Sequence, residues 1–477
     1  MTRPVVIASN RGPVSFEIRG DELISSRGAG GLVSGIGPLV QGTDTTWIAA
    51  ALSAGDRQAG ASGTITAAGF QVRTLAIDKD ILDKAYNIIA NETLWYLYHG
   101  LFDQVRAPVI DTEWYEAWTA YRKYNEIFAE AIIEDAPADA VVLVQDHHLA
   151  LVGPRIRDAR PDISSVHFTH TPFASPDHLR VLPELARTEL LLGYLGHDAL
   201  GFHSPRWSDA FIASCRETLG VRPTKTFVSP LGPDPDGIAG FATSPACEAE
   251  FTSLIEEVGD KHVIGRAERL ELSKNLLRGF WAYDEFLAMR PDLHEDVVFV
   301  ANFSPSRTAV SDYITYRAEL EAAVEEINAR WGTDTWTPIL YKAESNYARA
   351  IALLRRYDVL LINPIRDGLN LVAKEGPLVN ERDGVLLLSR EAGAFDELSG
   401  IATEVHPYDI SQTAQAMSDA LDMPAEVRAE VNADLKDVAA SRTPAIWFAE
   451  QIAAVACLLY TSPSPRDATL SRMPSSA

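Results

Sequence analysis

The feature that most restricts this chain's fold is an alternation sustained along it: short runs rich in Val, Ile and Leu, separated by longer segments whose apolar residues recur every three or four positions. Short runs of this kind read as buried strands and the longer segments as helices, which is the pattern of βαβ units around a parallel sheet. Strands are predicted at Val5 to Ser9, Val141 to Gln145, Ser165 to Thr169, Leu200 to His203, His262 to Gly265, Val297 to Asn302, Pro338 to Tyr341, Val359 to Asn363 and Val385 to Ser389. Helices are predicted at Tyr121 to Ile133, Ser311 to Ala329 and Tyr347 to Arg356. At 477 residues the chain exceeds a single core, since domains usually hold about 100–200 residues. Pro and Gly crowd together from Ser229 to Gly237, where no regular element can continue. The expectation is an α/β protein of two Rossmann-like halves facing across a cleft, 1–235 and 236–456, with ligands beyond the carboxyl ends of both sets of strands.

Charge narrows the partners. A formal net charge of -24 argues against nucleic acid or an anionic membrane as a partner, since both require a basic face. An anionic substrate would need a local pocket of Arg and Lys inside this acidic envelope. The apolar runs fall short of the 18 or so residues of a membrane span, and Val5 to Ala8 is too short for the core of a secretory leader. The three cysteines, Cys215, Cys247 and Cys457, form neither a disulfide framework nor a CxxC metal spacing, so a reducing cytoplasm is expected. From about Cys457 the text Cys457-Leu458-Leu459-Tyr460-Thr461-Ser462-Pro463-Ser464-Pro465-Arg466-Asp467 resembles a transposon-type sequencing adapter read through in frame. Residues 457–477 are therefore expected to be a non-native tail, a natural Ser/Pro-rich disordered tail being the alternative. The helix that precedes them is expected to return to the first domain.

Polar residues stand where strands end. Arg11 follows the first predicted strand, Asp146 with His147 and His148 follows Val141 to Gln145, His170 follows Ser165 to Thr169, and Arg307 follows Val297 to Asn302. Singly, each is equally explained as a turn or capping residue; together they describe a cleft lining. Arg27-Gly28-Ala29-Gly30-Gly31-Leu32 reads as a glycine-rich turn opening a helix whose free N–H groups could face an anion, or as a plain flexible turn. Arg269 and Lys274 stand five apart after His262 to Gly265 and could clamp a diphosphate, or form a solvated surface pair. In Arg366-Asp367-Gly368-Leu369-Asn370-Leu371-Val372-Ala373-Lys374-Glu375, a helix starting near Asp367 would put Asp367, Leu371, Lys374 and Glu375 on one face. Asp367 could then accept sugar hydroxyls and Glu375 ribose hydroxyls; the alternative is an N-cap and a solvated face. A metal site among His147, His148, His167 and His170 is not expected, because residues three apart on a strand point to opposite faces. No Gly-x-Ser-x-Gly elbow is present.

These residues together resemble the glycosyltransferase family of trehalose-6-phosphate synthases, family 20, from Val5 to about Ala456. The resemblance rests on the Arg366 to Glu375 string, on Ser9-Asn10-Arg11, on Tyr86-Asn87 with Leu94-Trp95, and on Ser304-Pro305-Ser306-Arg307. It implies a GT-B fold of two Rossmann-like domains. The implied reaction moves glucose, with retention, from a nucleotide sugar such as UDP-glucose to glucose 6-phosphate, with neither metal nor other cofactor. By this resemblance Arg11 and Arg307 would grip the acceptor phosphate, with Tyr86 and Trp95 completing the pocket. Asp146 would bind acceptor hydroxyls and His170 the transferred glucose. Gly31 would approach the donor, Arg269 and Lys274 would hold its diphosphate, Asp367 its sugar hydroxyls, Leu371 the nucleotide end through its backbone, and Glu375 the ribose. Asp146, His170, Arg269 and Lys274 would be the catalytic set. The implied mechanism is front-face displacement with no protein nucleophile, which matches the lack of the carboxylate pair used by retaining glycosidases.

Three stretches differ from the family's common text: Gln145-Asp146-His147-His148 where it reads His-Asp-Tyr-His, His170-Thr171-Pro172-Phe173-Ala174 where it reads His-Ile-Pro-Phe-Pro, and Glu271-Leu272 where it reads Asp-Tyr. Acceptors such as glycerol 3-phosphate or a cyclitol phosphate, the latter in a pseudoglycosidic coupling, are the alternative, and a non-catalytic sugar-phosphate sensor is a third reading. The expected partners are a nucleotide sugar and a sugar phosphate, with assembly into a homo-oligomer left open.

Overall fold

The computed structural model describes residues 3–456 except 21, 29, 30, 224, 308 and 309, so the predicted tail at 457–477 lies outside the described residues. Among the described residues, sixteen strands fall in three sheets. The first half holds β1 (Val5–Ser9), β2 (Val14–Arg19), β3 (Glu22–Arg27), β4 (Thr46–Ala50), β5 (Ile65–Ala67), β6 (Phe70–Leu75), β7 (Val141–Gln145), β8 (Ser164–Thr169), β9 (Ala199–Phe202) and β10 (Thr226–Val228). The second holds β11 (His262–Arg269), β12 (Val297–Ser304), β13 (Ile339–Lys342), β14 (Val359–Ile362), β15 (Val385–Ser389) and β16 (Thr403–Val405). Every strand predicted from the sequence is present within two residues at its start. β11 runs on to Arg269, which places Arg269 on the strand end rather than in a following loop.

The six-stranded sheet has the order β13-β12-β11-β14-β15-β16 and all its pairings are parallel. Numbered within its own half this is 3-2-1-4-5-6, the dinucleotide-binding order, with the switch point between β11 and β14. The eight-stranded sheet has the order β10-β9-β8-β7-β1-β4-β6-β5, parallel except for the edge pair β5 and β6. Both sheets are covered on both faces, which explains the continuous apolar runs. In β7, Val142 and Val144 join Trp114, Trp118 and Phe128 in one core, while Val141 and Leu143 face Ile36 and Trp447 in another. That second core continues without a break into the other half, where Val263, Val298, Leu360 and Leu386 belong to it.

The chain crosses between the halves twice. The first crossing follows β10 through Ser229 to Pro235. The second leaves the helix Ala425–Ala440, which packs on the second half, and enters the helix Pro444–Ala456, which lies on β7, β8 and β9 of the first. The two crossings meet at Gly232. A Cβ there would lie 1.8 Å from the Arg442 carbonyl oxygen, and Arg442 donates to the Pro230 carbonyl at 3.1 Å and to Ser229 Oγ at 3.3 Å. Gly232→Ala is expected to push the crossings apart and lower stability on the order of 2–4 kcal/mol, as strain and overpacking at a buried contact do. Thermal unfolding with tryptophan fluorescence reads it; an unchanged midpoint would show that the crossings part freely.

Candidate active site

Four of the predicted residues converge on one wall of the cleft because of an irregular helix. Tyr86 and Trp95 are nine apart, which on an α-helix of about 3.6 residues per turn puts them on opposite faces. Residues Lys84–Trp95 instead form a π-helix, and its wider i→i+5 winding turns both side chains toward the cleft. Arg11, just beyond β1, reaches Tyr86 Oη at 3.4 Å. Arg307 comes from the second half, past β12. Its guanidinium carbon lies 3.9 Å over the Trp95 ring, its Nε donates to Asn91 Oδ1 at 3.0 Å and its Nη1 to Tyr313 Oη at 3.2 Å. Burial would raise the Tyr86 phenol, but Arg11, by charge and hydrogen bond, and then Arg307 bring it below its ordinary value. Asn91 and Tyr313 carried no sequence signal.

Asp146 sits past β7 at φ 71°, a left-handed conformation. One carboxylate oxygen lies 3.2 Å from His147 Nδ1 and accepts from the His170 amide at 3.3 Å. Burial alone would raise this carboxyl; the His147, His170 and His148 rings reverse that and hold it well below the carboxylate range. His148 stacks on Tyr86 with ring centroids 5.7 Å apart. Asp146, His147 and His148 offer donor atoms within 4.8 Å of one another. His167 turns away from them, toward the Asp146 carbonyl at 3.0 Å and the Tyr194 ring. His170 uses both ring nitrogens within the protein, on Gln145 Oε1 at 2.9 Å and His203 Nε2 at 3.1 Å.

On the opposite wall, β11 delivers Glu268 and Arg269, and the short turn Leu272–Lys274 delivers Lys274. Asn275 closes this turn at φ 61°, and its amide donates to the carbonyls of Asn363 at 2.9 Å and Pro407 at 2.6 Å. The Lys274 ammonium is buried between Asp367 at 2.7 Å and Glu268 at 3.1 Å. Burial would lower its basicity, but Asp367 and Glu268 outweigh this and raise it. Arg269 is mostly exposed and pairs with Glu271 at 3.0 Å. Glu271 is fully buried, and the same oxygen that meets Arg269 also meets Arg307 at 3.0 Å and accepts from Ser306 Oγ at 3.0 Å. Against the cost of burial, Arg269, Arg307 and Lys274 bring its pKa down to about 2. One carboxylate thus ties the two cationic clusters together. The sequence singled out Glu271 only as a difference from the family text, because nothing local shows that it is buried.

The helix expected to begin near Asp367 begins at Val372. Asp367 bridges to Ala392, Gly368 is pressed against the His170 carbonyl, and Asn370 takes φ 75°, so the segment before Leu371 is a loop. The single helical face through Asp367, Leu371, Lys374 and Glu375 does not exist. Lys374 turns into the protein, to Glu397 and the Leu231 carbonyl, whereas Asp367 reaches the cleft through Lys274 and Asn370. Gly31 opens the helix Gly31–Val40, where an added Cβ would lie 3.3 Å from Leu371 across the cleft, so these two predicted residues do meet. Gly28 is needed for packing against Gly12 and Pro13. The predicted turn's Ala29 and Gly30 lie outside the described residues. Burial, with Glu268 nearby, pushes Glu375 up to about 7.

Two Rossmann-like domains facing across a cleft define the GT-B class of glycosyltransferases, and this chain has that fold. The model of "Glycosyltransferase family 20" matches residues 3–456, and the chain belongs to that family. A bifunctional trehalose-6-phosphate synthase/phosphatase of Thermoproteus tenax is 33% identical over 74% of this chain, which spans about half (49%) of that relative's length. An alpha,alpha-trehalose-phosphate synthase [UDP-forming] 2 of Aspergillus fumigatus is 30% identical over 93% of this chain and 95% of its own. The crystal structure of an alpha,alpha-trehalose-phosphate synthase (UDP-forming) from Burkholderia xenovorans in complex with glucose-6-phosphate is 26% identical, with a TM-score of 0.82 over 95% of this chain and 100% of that one. Among the described residues no helix is long and apolar enough to cross a membrane.

The raised pKa of Glu375 has a definite sign. Its folded value, about 7, lies above the unfolded carboxylate range, so the stability it permits is fully present below about pH 4.5 and is lost as pH rises through 7. Glu375→Gln is expected to stabilise the unliganded protein at pH 8, on the order of 2–3 kcal/mol, and to do nothing at pH 4.5. Chemical denaturation at the two pH values measures this; equal effects at both would contradict it.

Proposed function

We propose that the protein transfers glucose with retention from a nucleotide sugar, UDP-glucose or a close analogue, to glucose 6-phosphate, forming trehalose 6-phosphate. The observation that carries this reading is Glu271, whose one oxygen lies 3.0 Å from both Arg269 and Arg307. Two cationic clusters fixed this close suit two substrates that each carry phosphate and must react with one another. Arg269 and Lys274 take the donor diphosphate, Arg11 and Arg307 the acceptor phosphate, with Tyr86 and Trp95 walling the latter. Asp146 is held as a carboxylate and accepts hydrogen bonds from acceptor hydroxyls. Asp367 and Glu375 take donor sugar and ribose hydroxyls, and Gly31 with Leu371 lets the donor approach closely.

In the displacement, the bond from the acceptor hydroxyl oxygen to the anomeric carbon forms as the bond to the diphosphate oxygen breaks. The hydroxyl proton passes to the departing diphosphate, whose growing charge Arg269 and Lys274 stabilise. These two cations do what a divalent metal does in other phosphate chemistry, so the reading needs no metal; the sparse, unpaired cysteines support a cytoplasmic reaction. The UDP-forming relatives and the glucose-6-phosphate complex support the choice of substrates.

The full chain is expected to release nucleoside diphosphate only with both substrates present, and to do so in excess chelator. Arg269→Ala should lower kcat/KM by about 10²–10³, the scale for one electrostatic donor at a transition state. Abolition by chelator, or an Arg269→Ala variant as active as wild type, would overturn the mechanism. Product from glycerol 3-phosphate or a cyclitol phosphate in place of glucose 6-phosphate, read by mass spectrometry, would overturn the acceptor, and binding of both substrates without turnover would point to a sensor.

A further inference from the structure

A line of buried polar groups runs through His170 from one interdomain crossing to the other. At one end is Leu231, beside Gly232, whose amide donates to His203 Nδ1 at 3.3 Å. A backbone N–H can only donate, so a neutral His203 carries its proton on Nε2 and gives it to His170 Nδ1 at 3.1 Å. His170 is then protonated on Nε2, which donates to Gln145 Oε1 at 2.9 Å. The Gln145 amide nitrogen in turn donates to Gln451 Oε1 at 3.1 Å. Gln451 lies on the helix Pro444–Ala456, the second crossing. With the Leu231 amide as donor, each step sets the next and places the His170 proton on Nε2; the Ser229 carbonyl, which also reaches the His203 ring, is the competing partner that would reverse the chain. Burial lowers the basicity of both rings, which keeps them neutral.

We infer that Gln145, held by Gln451, is the positioning residue for His170, tying the imidazole beside the transferred sugar to the helix that returns from the second domain. This rests on the proposed reaction. Gln145 and Gln451 are fully buried, and neither is among the residues placed on substrate. The Trp447 ring packs 5.7 Å from His170 and 5.0 Å from Phe168, which fixes the helix against the same strand ends. The charged and titratable groups facing the pair are Asp146, His147 and His203, with Lys374 acting on His203. With both ring nitrogens committed and the carbonyl packed against Gly368, His170 meets the sugar through its ring edge and moves no proton.

The test uses the full chain with Gln145→Leu, Gln145→Glu and Gln451→Met. Long-range ¹H–¹⁵N spectra of the histidines should show His170 protonated on Nε2 in the wild type and this preference lost in Gln145→Leu. That variant's kcat should fall on the order of tenfold with both KM values changed by less than about threefold, as for a hydrogen bond that orients rather than binds. Gln145→Glu keeps the shape and the acceptor for Nε2, but its carboxylate favours protonated His170, so the acid limb of kcat against pH should move to higher pH. Gln451→Met should lower kcat in the same direction by a smaller factor. A wild-type tautomer and kcat in Gln145→Leu, or an unmoved acid limb in Gln145→Glu, overturns the inference. A wild type that binds both substrates and turns nothing over overturns the proposed reaction instead, and the tautomer alone then decides whether Gln145 positions His170.

Discussion

Lys274 is a buried ammonium, and it is buried only because Asp367 and Glu268 stand 2.7 and 3.1 Å away. Taking an ion out of water costs several kcal/mol even after relaxation, and removing one partner of a buried pair leaves an uncompensated charge worth about 3–5 kcal/mol. Much of the second domain's local geometry serves this pairing. β11 must end where it does to present Glu268, the turn after it must reverse at Asn275, and Asp367 must be held by Asn370, which bonds it at 3.2 Å and Glu268 at 2.8 Å. Asn275 manages a left-handed backbone without being glycine because its amide spans two carbonyls, those of Asn363 and Pro407. The positive charge proposed to meet a diphosphate is therefore a property of the folded switch point, and no exposed Lys-Arg pair would reproduce it.

The same rule operates again inside the second domain, on the face it turns to the first. Glu271 is fully buried, and both guanidinium groups that compensate it, Arg269 and Arg307, line the cleft. Gly368 and Gly232 then fix how closely the halves approach. A Cβ at Gly368 would fall 1.8 Å from the His170 carbonyl oxygen, and the Gly368 carbonyl accepts the Trp207 indole N–H at 3.0 Å. One glycine sets the floor of the cleft and the other its hinge.

The fold was legible because strands buried on both faces write long apolar runs, as Val141 to Val144 and Leu386 to Leu388 do. Among the described strands, β2, β3, β4, β5, β6, β10 and β16 escaped notice, two of them, β4 and β6, inside the first sheet. β5, β10 and β16 have three residues each, too few for a period to show, and β4 opens on Thr46-Trp47 in an otherwise Ala-rich stretch. In the site, Arg11, Asp146, His170 and Arg307 were visible because strand ends are where this topology puts ligands. The face drawn through Asp367 and Lys374 failed for a definite reason. Helical periodicity was extended across Gly368 and Asn370, where close packing against His170 and a positive φ exclude a helix. Glu271, Asn91 and Tyr313 were hidden because their importance lies entirely in tertiary partners.

The Arg366 to Glu375 string speaks for one half of the cleft only. Asp367 and Asn370 gather around Lys274 and the β11 end, Lys374 turns to Glu397, and Gly368 and Leu371 meet His170 and Gly31; none of these partners belongs to the Arg11 cluster. That second cluster is assembled from the end of β1, a π-helix and a residue of the other domain. Arg307 crosses the cleft to lie on Trp95 and to bond Asn91. The pocket proposed for the acceptor phosphate is complete only when the two domains are in this arrangement, whereas the proposed donor clamp of Arg269 and Lys274 is built within the second domain alone. Recognition of the donor is thus a local matter of one switch point. Recognition of the acceptor is inseparable from how the domains meet, and so from Gly232, Arg442 and the helix that carries Gln451.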